Sequence, residues 1–312
     1  MKTDVKKAIF RFVAPPSLSA SFVPIAVGTV CAFTWGRAQL HWSCILWVLL
    51  ELFAITCVEA GKHALNELMD FHSGADVFVD EAHLCPVAGG KKVLKEGLAT
   101  EKQVMVIAVV LLSVAAVCGL VICHCRSWAV IWYGLAGFAL AITYNAEPFK
   151  LIYRGLGETE LFLAYGPVCT LGAYSVFAGD KLLLPLLLSC AIGFFITNVL
   201  IINEFPDYEA DKKAKKRNLL VRRGPQKAMG IMLLLYWSSF VPLAAASLLA
   251  GNPLYMLPLV TIPRMLRARA NLAANLDDVP GMLPSNLAVI SIHKELGACL
   301  SAALVFGYFF LS

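Results

Sequence analysis

The stretch VMVIAVVLLSVAAVCGLVIC, Val104–Cys123, decides the fold of this chain. It runs without a charged residue for about 20 positions, which is the length that an α-helix needs to cross a bilayer. Its apolar residues do not alternate with polar ones, as they would in the strands of an outer-membrane barrel. The stretch therefore predicts a transmembrane helix.

Similar apolar runs recur along the whole chain of 312 residues, which is 59% hydrophobic, 15% charged and has a mean hydropathy of +0.73. A soluble domain of this length carries more charge. We predict an all-α, polytopic membrane protein with about nine transmembrane helices in one bundle, forming a single domain over residues 1–312. The predicted spans are 17–36, 43–70, 102–123, 127–145, 157–178, 182–206, 228–250, 253–270 and 288–311. Pro258, Pro263 and Arg264 interrupt the eighth span, so a count of eight stays open.

The basic residues orient the predicted bundle. If the N-terminus is cytoplasmic, that side collects most of them: Lys2, Lys6, Lys7, Arg11, Lys91, Lys92, Lys95, Lys102, Lys150, Arg154, the run from Lys212 to Lys227, Arg264, Arg267, Arg269 and Lys294. The opposite side keeps Arg37, Arg126 and Lys181. By the positive-inside rule, we predict a multi-pass protein of the cytoplasmic membrane with a cytoplasmic N-terminus. The net charge of +5 then reflects topology and indicates no nucleic-acid partner, and we expect no cleaved signal peptide.

Two clusters of Asn and Asp lie at the cytoplasmic ends of two apolar helices. The first is NELMDFHSGAD, with Asn66, Asp70 and Asp76, and the second is NEFPDYEAD, with Asn203, Asp207 and Asp211. Carboxylates are costly at membrane depth, so such residues are functional candidates by default. Each cluster precedes a basic loop, GGKKVLKEG at Gly89–Gly97 and AKKRNLLVRRG at Ala214–Gly224, and these loops are expected to cap the site from the cytoplasmic side.

The spacing within each cluster predicts a shared helix face. Asn66 and Asp70 are one turn apart, and Lys62 lies one turn earlier on the same face. Gly74 allows a turn that brings Asp76 back toward them. In the second cluster, i, i+4 and i+8 spacing predicts an unbroken stripe.

Oxygen ligands of this kind suit hard divalent cations, and Mg²⁺ typically takes one or two carboxylates together with phosphates and waters. The six Asn and Asp residues are therefore predicted to hold Mg²⁺, with two ions bridging a diphosphate. Nearby cations can neutralise that diphosphate: Lys150, Arg154, Lys216 and Arg217, with Lys91 and Lys92 as further candidates. A hydrophobic tail would then lie between the helices.

Other interpretations apply to some of these residues. The basic run from Lys212 to Arg223 is equally typical of an anchor to anionic lipid. Tyr144, Tyr153 and Tyr165 are as typical of interfacial aromatics as of an active site. The ten cysteines lie mostly in apolar runs, where they behave as small hydrophobic residues. An ion-coupled transporter also places carboxylates in a membrane, but its inverted repeats would not bring both clusters to one face.

Taken together, the motifs resemble those of the UbiA superfamily of intramembrane prenyltransferases. The resemblance covers nearly the whole chain, through Ser19–Pro24 and Gly28-Thr29, both Asp motifs, and TYNAEPFKLIYRGLGE at Thr143–Glu158. The Gly before Asp76 and the pattern KKRNLLVRRG at Lys215–Gly224 are similar to the 1,4-dihydroxy-2-naphthoate polyprenyltransferases of menaquinone biosynthesis. Lys215 and Arg223 depart from the Gly and Leu that are usual there.

The resemblance implies a mechanism. Asp70, Asp76, Asp207 and Asp211, with Asn66 and Asn203, would hold Mg²⁺ on the diphosphate of a polyprenyl donor, while Lys150, Lys216 and Arg217 neutralise it. Loss of diphosphate in a dry cavity would give an allylic cation, which the acceptor ring attacks with loss of its carboxylate. Tyr144 would steady the cation or orient the ring. Arg154 or Glu158 would contact the acceptor. A terpene cyclase, or a prenyltransferase with another acceptor, carries similar Asp motifs and stays open as an alternative.

Overall fold

The computed structural model describes residues 3–13, 15–74, 91–144 and 147–311. The helices are α1 Val5–Val13, α2 Pro15–Thr34, α3 Ser43–Ser73, α4 Glu101–Cys125, α5 Val130–Thr143, α6 Leu151–Arg154, α7 Gly157–Leu163, α8 Cys169–Phe177, α9 Leu183–Glu204, α10 Tyr208–Lys213, α11 Leu219–Arg223, α12 Pro225–Ser238, α13 Phe240–Ala250, α14 Ile262–Ala274 and α15 Val279–Phe310. A π-helical turn, Ala164–Val168, joins α7 to α8, and a 3-10 helix, Pro253–Thr261, precedes α14.

Each of the nine predicted spans corresponds to helix, so the prediction of an all-α polytopic membrane protein is confirmed. Within the described ranges, five helical segments are long and apolar enough to cross a membrane, or six if the bent pair α1 and α2 counts as one span. The exact number of nine therefore stays a prediction. The span predicted at 253–270 begins as 3-10 helix and continues as α14, in keeping with the prolines that interrupt it.

Two apolar clusters form the interior. The smaller one joins α1, α3 and α4 with Val93 and Leu94 of the loop between them. The larger one joins α2, α8, α9 and α12–α15, with fully buried residues such as Leu188, Ile192 and Leu296. A cavity of about 320 Å³ lies between these clusters, bounded by α2, α3, α4, α5 and the stretch from α7 to α8.

The stretch that lines this cavity carries a close helix contact. A Cβ on Gly166, in the π-helical turn, would lie 2.7 Å from the Ser189 carbonyl oxygen and 2.9 Å from Gly193 Cα of α9. Glycine at both positions lets the two backbones touch, and the π-helical turn brings Tyr165 to the cavity wall. Such single π-helical turns often mark functional sites.

The two acidic clusters end their helices differently. Gly74 has φ +74° and terminates α3, as the sequence predicted, whereas Asp76 lies outside the described residues. The predicted unbroken stripe from Asn203 to Asp211 is wrong, because α9 ends at Glu204 and α10 begins at Tyr208. Pro206 explains the break, since a proline inside a helix removes a backbone hydrogen bond and clashes with the preceding turn.

Candidate active site

Lys216 connects the two acidic clusters. Its Nζ lies 3.1 Å from Oδ1 of Asp70 and 3.2 Å from Oδ1 of Asp211, and all three side chains are largely buried. Burial lowers the pKa of this ammonium, but the carboxylates of Asp70 and Asp211 more than offset that effect and raise the pKa well above its usual value. Lys216 is therefore a fixed positive charge between the clusters, and both clusters lie at one end of the bundle.

Asp207 completes the acidic group at the turn between α9 and α10. Burial and the neighbouring Asp211 carboxylate raise its pKa to about 7, while the charges of Lys216 and Lys92 oppose the shift. Burial likewise raises the pKa of Asp211 against the opposing charge of Lys216. Burial and the nearby Asp211 carboxylate both disfavour the charged form of Asp207, and a cation bound beside them would oppose both effects.

The loop that carries Lys216 is held by local contacts. The Asn218 side chain caps α11 by accepting a hydrogen bond from the Val221 amide at 2.9 Å. Its Nδ2 donates to Oδ2 of Asp211 at 2.8 Å. One asparagine thus fixes both the start of a short helix and the orientation of a carboxylate in the acidic group.

The stretch Thr143–Glu158 contacts the stretch Lys215–Gly224. Oε1 of Glu158 accepts a hydrogen bond from the Leu219 amide, and its Oε2 lies 3.6 Å from the Arg222 guanidinium. The guanidinium packs over Gly155, where an added Cβ would lie 2.6 Å from Arg222 Cζ. These contacts of Glu158 and Gly155 set the position of the segment Ala214–Asn218, which carries Lys216, relative to α7.

The segment before α4, which carries Lys91 and Lys92, is also held by hydrogen bonds. Oε1 of Glu67 on α3 accepts a hydrogen bond from the Leu94 amide at 2.8 Å, and Arg11 donates to the Lys91 carbonyl at 3.2 Å. These contacts hold Lys91 and Lys92 near the acidic group, and the Lys92 charge acts on Asp207. Burial and the Lys62 charge lower the pKa of Lys91.

The cavity leads from this site into the membrane region. It follows α3 from Asn66 to Glu51, a rise of about 22 Å at 1.5 Å per residue. Its walls are mostly apolar and include Gly119, Gly134 and Gly137. Tyr144 lines the cavity as Asn66 does, and its ring lies beside Gly157 at the start of α7.

A buried ionic network forms part of the cavity wall. Oε1 of Glu59 accepts hydrogen bonds from Ser21 Oγ at 2.5 Å and Tyr165 OH at 2.7 Å. Its Oε2 lies 2.8 Å from Lys62 Nζ, which also contacts the Tyr165 hydroxyl. The network joins α2, α3 and the π-helical turn. Glu160 lies on the same cavity wall.

The structure places the other predicted residues less centrally. Asn203 Oδ1 accepts a hydrogen bond from Asn286 at 3.0 Å, which fastens the end of α9 to α15. The Lys150 ammonium pairs with Glu147 at 2.6 Å. Arg154 is exposed and donates to the Pro148 carbonyl at 2.6 Å, and Arg217 is exposed. Neither Arg154 nor Glu158 lines the cavity.

Some residues of the site that we did not predict as functional nevertheless leave a signal in the sequence. Glu59 and Lys62 are three positions apart in an apolar run, which is the spacing of an ion pair on a buried helix face. Asn218 directly precedes an apolar helix start, a typical N-cap position. Glu160 and Asn286 carry no comparable local signal, because their partners and surroundings come from distant segments.

The fold and site together define a class, the multi-pass helical membrane proteins that hold an acidic and basic site at the end of an apolar cavity. Comparison with known proteins makes this specific. The profile of the UbiA prenyltransferase family matches residues 21–280. The chain belongs to the UbiA prenyltransferase family and is a prenyltransferase.

Individual relatives are similar at modest identity. The chain is 23% identical over 310 residues to the 1,4-dihydroxy-2-naphthoate octaprenyltransferase of Bacillus subtilis (strain 168), covering 99% of this chain and 95% of that one. It is 27% identical over 258 residues to the enzyme of the same name from Mycobacterium tuberculosis, covering 81% and 82%. A UbiA homolog from Archaeoglobus fulgidus, bound to DMAPP and Mg²⁺, has the same fold, with a TM-score of 0.67 and 18% identity over 94% of this chain and 99% of that one.

Proposed function

We propose that this chain transfers a polyprenyl group from a polyprenyl diphosphate to 1,4-dihydroxy-2-naphthoate, in a Mg²⁺-dependent step of menaquinone biosynthesis. The observation that carries the proposal is the Lys216 ammonium, held between Asp70 and Asp211, with Asp70 one turn of α3 beyond Asn66, which lines an apolar cavity. This arrangement suits a ligand with an anionic head, a cation bound to that head, and a long apolar tail.

The donor set fits a divalent metal that is bound together with its substrate. Across the described ranges, no three side chains of Asp, Glu, His or Cys converge closely enough to hold a metal ion by themselves. Mg²⁺ does not require such a cage, because it usually takes one or two carboxylates and completes its shell with phosphate oxygens and waters. Asp70, Asp207 and Asp211 offer these carboxylates, and Lys216 supplies compensating charge between two of them. Asp76, Asn66 and Asn203 remain predicted ligands, and two ions remain the predicted number.

Basic residues, bound Mg²⁺ and Tyr144 would each act on a different charge of the reacting donor. Lys216 and Lys92 neutralise the leaving diphosphate, and the loop contacts of Glu158 and Glu67 hold these lysines in place. Bound Mg²⁺ would act as a Lewis acid on the leaving group. Tyr144 lines the cavity, where its ring would face the developing allylic cation.

The apolar cavity would hold the polyprenyl chain and exclude water. Most of its lining is apolar, and two of the charged side chains in it, Glu59 and Lys62, pair with each other. A dry site strengthens the electrostatic interactions within it and prevents hydrolysis of a reactive intermediate. We further propose that residues 1–312 act as one domain, with the site on the cytoplasmic side, since the basic loops lie at this end.

The choice of acceptor is supported by the relatives named dihydroxynaphthoate octaprenyltransferases and by the loop pattern at Lys215–Gly224. The test is an activity panel with purified protein, Mg²⁺, prenyl diphosphates of several lengths, and dihydroxynaphthoate or 4-hydroxybenzoate as acceptor, read by product mass. We expect diphosphate release together with a decarboxylated prenyl-naphthalene product. Diphosphate release with only cyclic hydrocarbon or prenyl alcohol would overturn the acceptor assignment and favour a cyclase.

A further inference from the structure

The cavity contains charged groups that ionisation of the donor does not use. Glu59 and Lys62 line it from α3, and Glu160 lines it from α7. A buried ion pair is seldom more stable than apolar side chains of the same volume. Charged groups in a membrane are therefore expected to serve a ligand.

Lys62 is positioned with part of its hydrogen-bonding capacity directed at the cavity. Its ammonium carries three N–H groups. Glu59 Oε2, at 2.8 Å, and the Tyr165 hydroxyl account for two of them. The lysine side chain is 15% exposed, and its exposed part faces the cavity. One donor is left for a group bound there.

Glu160 offers the complementary acceptor. The residue is only 4% exposed, lies on α7, and lines the same cavity. Its Oε2 is buried and has no hydrogen-bond partner among the residues that the structure describes. The Lys62 charge acts on this carboxylate. A buried acceptor without a donor is destabilising unless a ligand supplies the donor.

A phenolic hydroxyl matches this pair, because it donates one hydrogen bond and accepts another. We propose that Glu160 and Lys62 bind a ring hydroxyl of the aromatic acceptor, with Glu160 accepting its hydrogen bond and Lys62 donating one to its oxygen. The inference rests on the proposed function and adds the subsite that recognises the acceptor.

The position of this subsite suits transfer. Tyr144 lines the same cavity as Lys62 and Glu160, and its ring lies beside Gly157, three residues before Glu160 on α7. A ring held at Glu160 would therefore lie beside the carbon that loses diphosphate. The two substrates would meet at Tyr144.

The test compares acceptor analogues that each lack one hydroxyl. Wild type and Glu160→Gln are titrated with 1,4-dihydroxy-2-naphthoate, 1-hydroxy-2-naphthoate and 4-hydroxy-2-naphthoate, the last two as competitive inhibitors. In wild type, one of the two analogues is expected to bind about 10- to 100-fold more weakly than the parent compound. In Glu160→Gln, the KM for the parent compound rises by a similar factor, the discrimination against that analogue is lost, and donor affinity is unchanged.

Glu101→Gln is the matched control, since Glu101 is exposed at the start of α4, pairs with His72, and does not line the cavity. Equal affinities of wild type for all three compounds would overturn the inference without any variant, as would full discrimination in a folded Glu160→Gln protein. Failure of wild type to prenylate any aromatic acceptor would instead refute the proposed function, which the activity panel shows separately.

Discussion

Lys216 Nζ and Asp70 Oδ1 lie 3.1 Å apart, although the two residues belong to opposite halves of the chain. The same ammonium lies 3.2 Å from Asp211. Each half contributes a carboxylate, and one lysine fixes the distance between them. The site therefore depends on how the two halves pack, and a change at Lys216 tests that dependence directly.

Replacing Lys216 with Met is expected to remove the cation between the clusters while keeping a side chain of similar length. Transfer should fall by about 10²- to 10³-fold, because one preorganised electrostatic contact to the leaving group is lost. Steady-state transfer and donor binding measure the effect. Lys213→Met is the control, since Lys213 is exposed on α10. An equal loss in both variants would contradict a specific role for Lys216.

Asp70→Ala and Asp207→Ala are each expected to abolish Mg²⁺-dependent transfer while the protein still inserts and folds. Both carboxylates lie in the acidic group, so each variant removes a proposed ligand of Mg²⁺. Diphosphate release at several Mg²⁺ concentrations checks the expectation, with exposed Asp277→Ala as the control. Normal activity in either test variant would refute the metal assignment.

The sequence predicted the helical segments and the acidic group because both leave local signals. Long apolar runs fix the helices, and four-residue spacing places Asn66 and Asp70 on one face. The prediction of one continuous helix from Asn203 to Asp211 was wrong, although Pro206 in the sequence indicates a helix break.

Contacts between distant loops leave no such signal. Lys150 and Lys216 are both basic residues in polar loops, yet one pairs with its neighbour Glu147 and the other joins the two clusters. Lys216 is placed between the clusters by the contacts of Glu158 with Leu219 and Arg222. These contacts form only when the chain is folded. Local sequence therefore identified the candidates, and tertiary packing selected among them.

Gly155→Ala is expected to lower thermal stability more than Gly251→Ala. Both glycines end helices in the left-handed region, at φ +76° and +61°, where alanine costs about 1–2 kcal/mol. An added Cβ at Gly155 also meets Arg222 at 2.6 Å, whereas Gly251 has open space. Thermal unfolding in detergent measures the difference. Equal losses would show that Arg222 moves aside without cost.

Gly119→Leu is expected to shorten the longest prenyl diphosphate that the protein accepts. Gly119 lines the cavity, and an added Cβ there meets nothing within 4 Å, so the larger side chain can extend into the space proposed for the tail. Gly230→Leu is the control, because Gly230 is exposed on α12 with similar open space. KM values across a donor length series test this. An unchanged profile in Gly119→Leu would place the tail elsewhere.

The pH dependence of stability should report on Asp207. Its pKa is raised from 3.8 to about 7 by burial and by Asp211, so the folded state holds this proton more tightly than the unfolded chain. Stability of the metal-free protein should therefore fall as pH rises from about 4 to about 7, and level off above. Mg²⁺ with diphosphate needs the ionised carboxylate, so these ligands should raise the Tm more at pH 8 than at pH 6. Tm series for wild type and Asp207→Asn, with and without ligands, test both effects. Since asparagine does not titrate, the variant should lose this part of the slope, and an identical pH slope in the two proteins would show that Asp207 titrates normally.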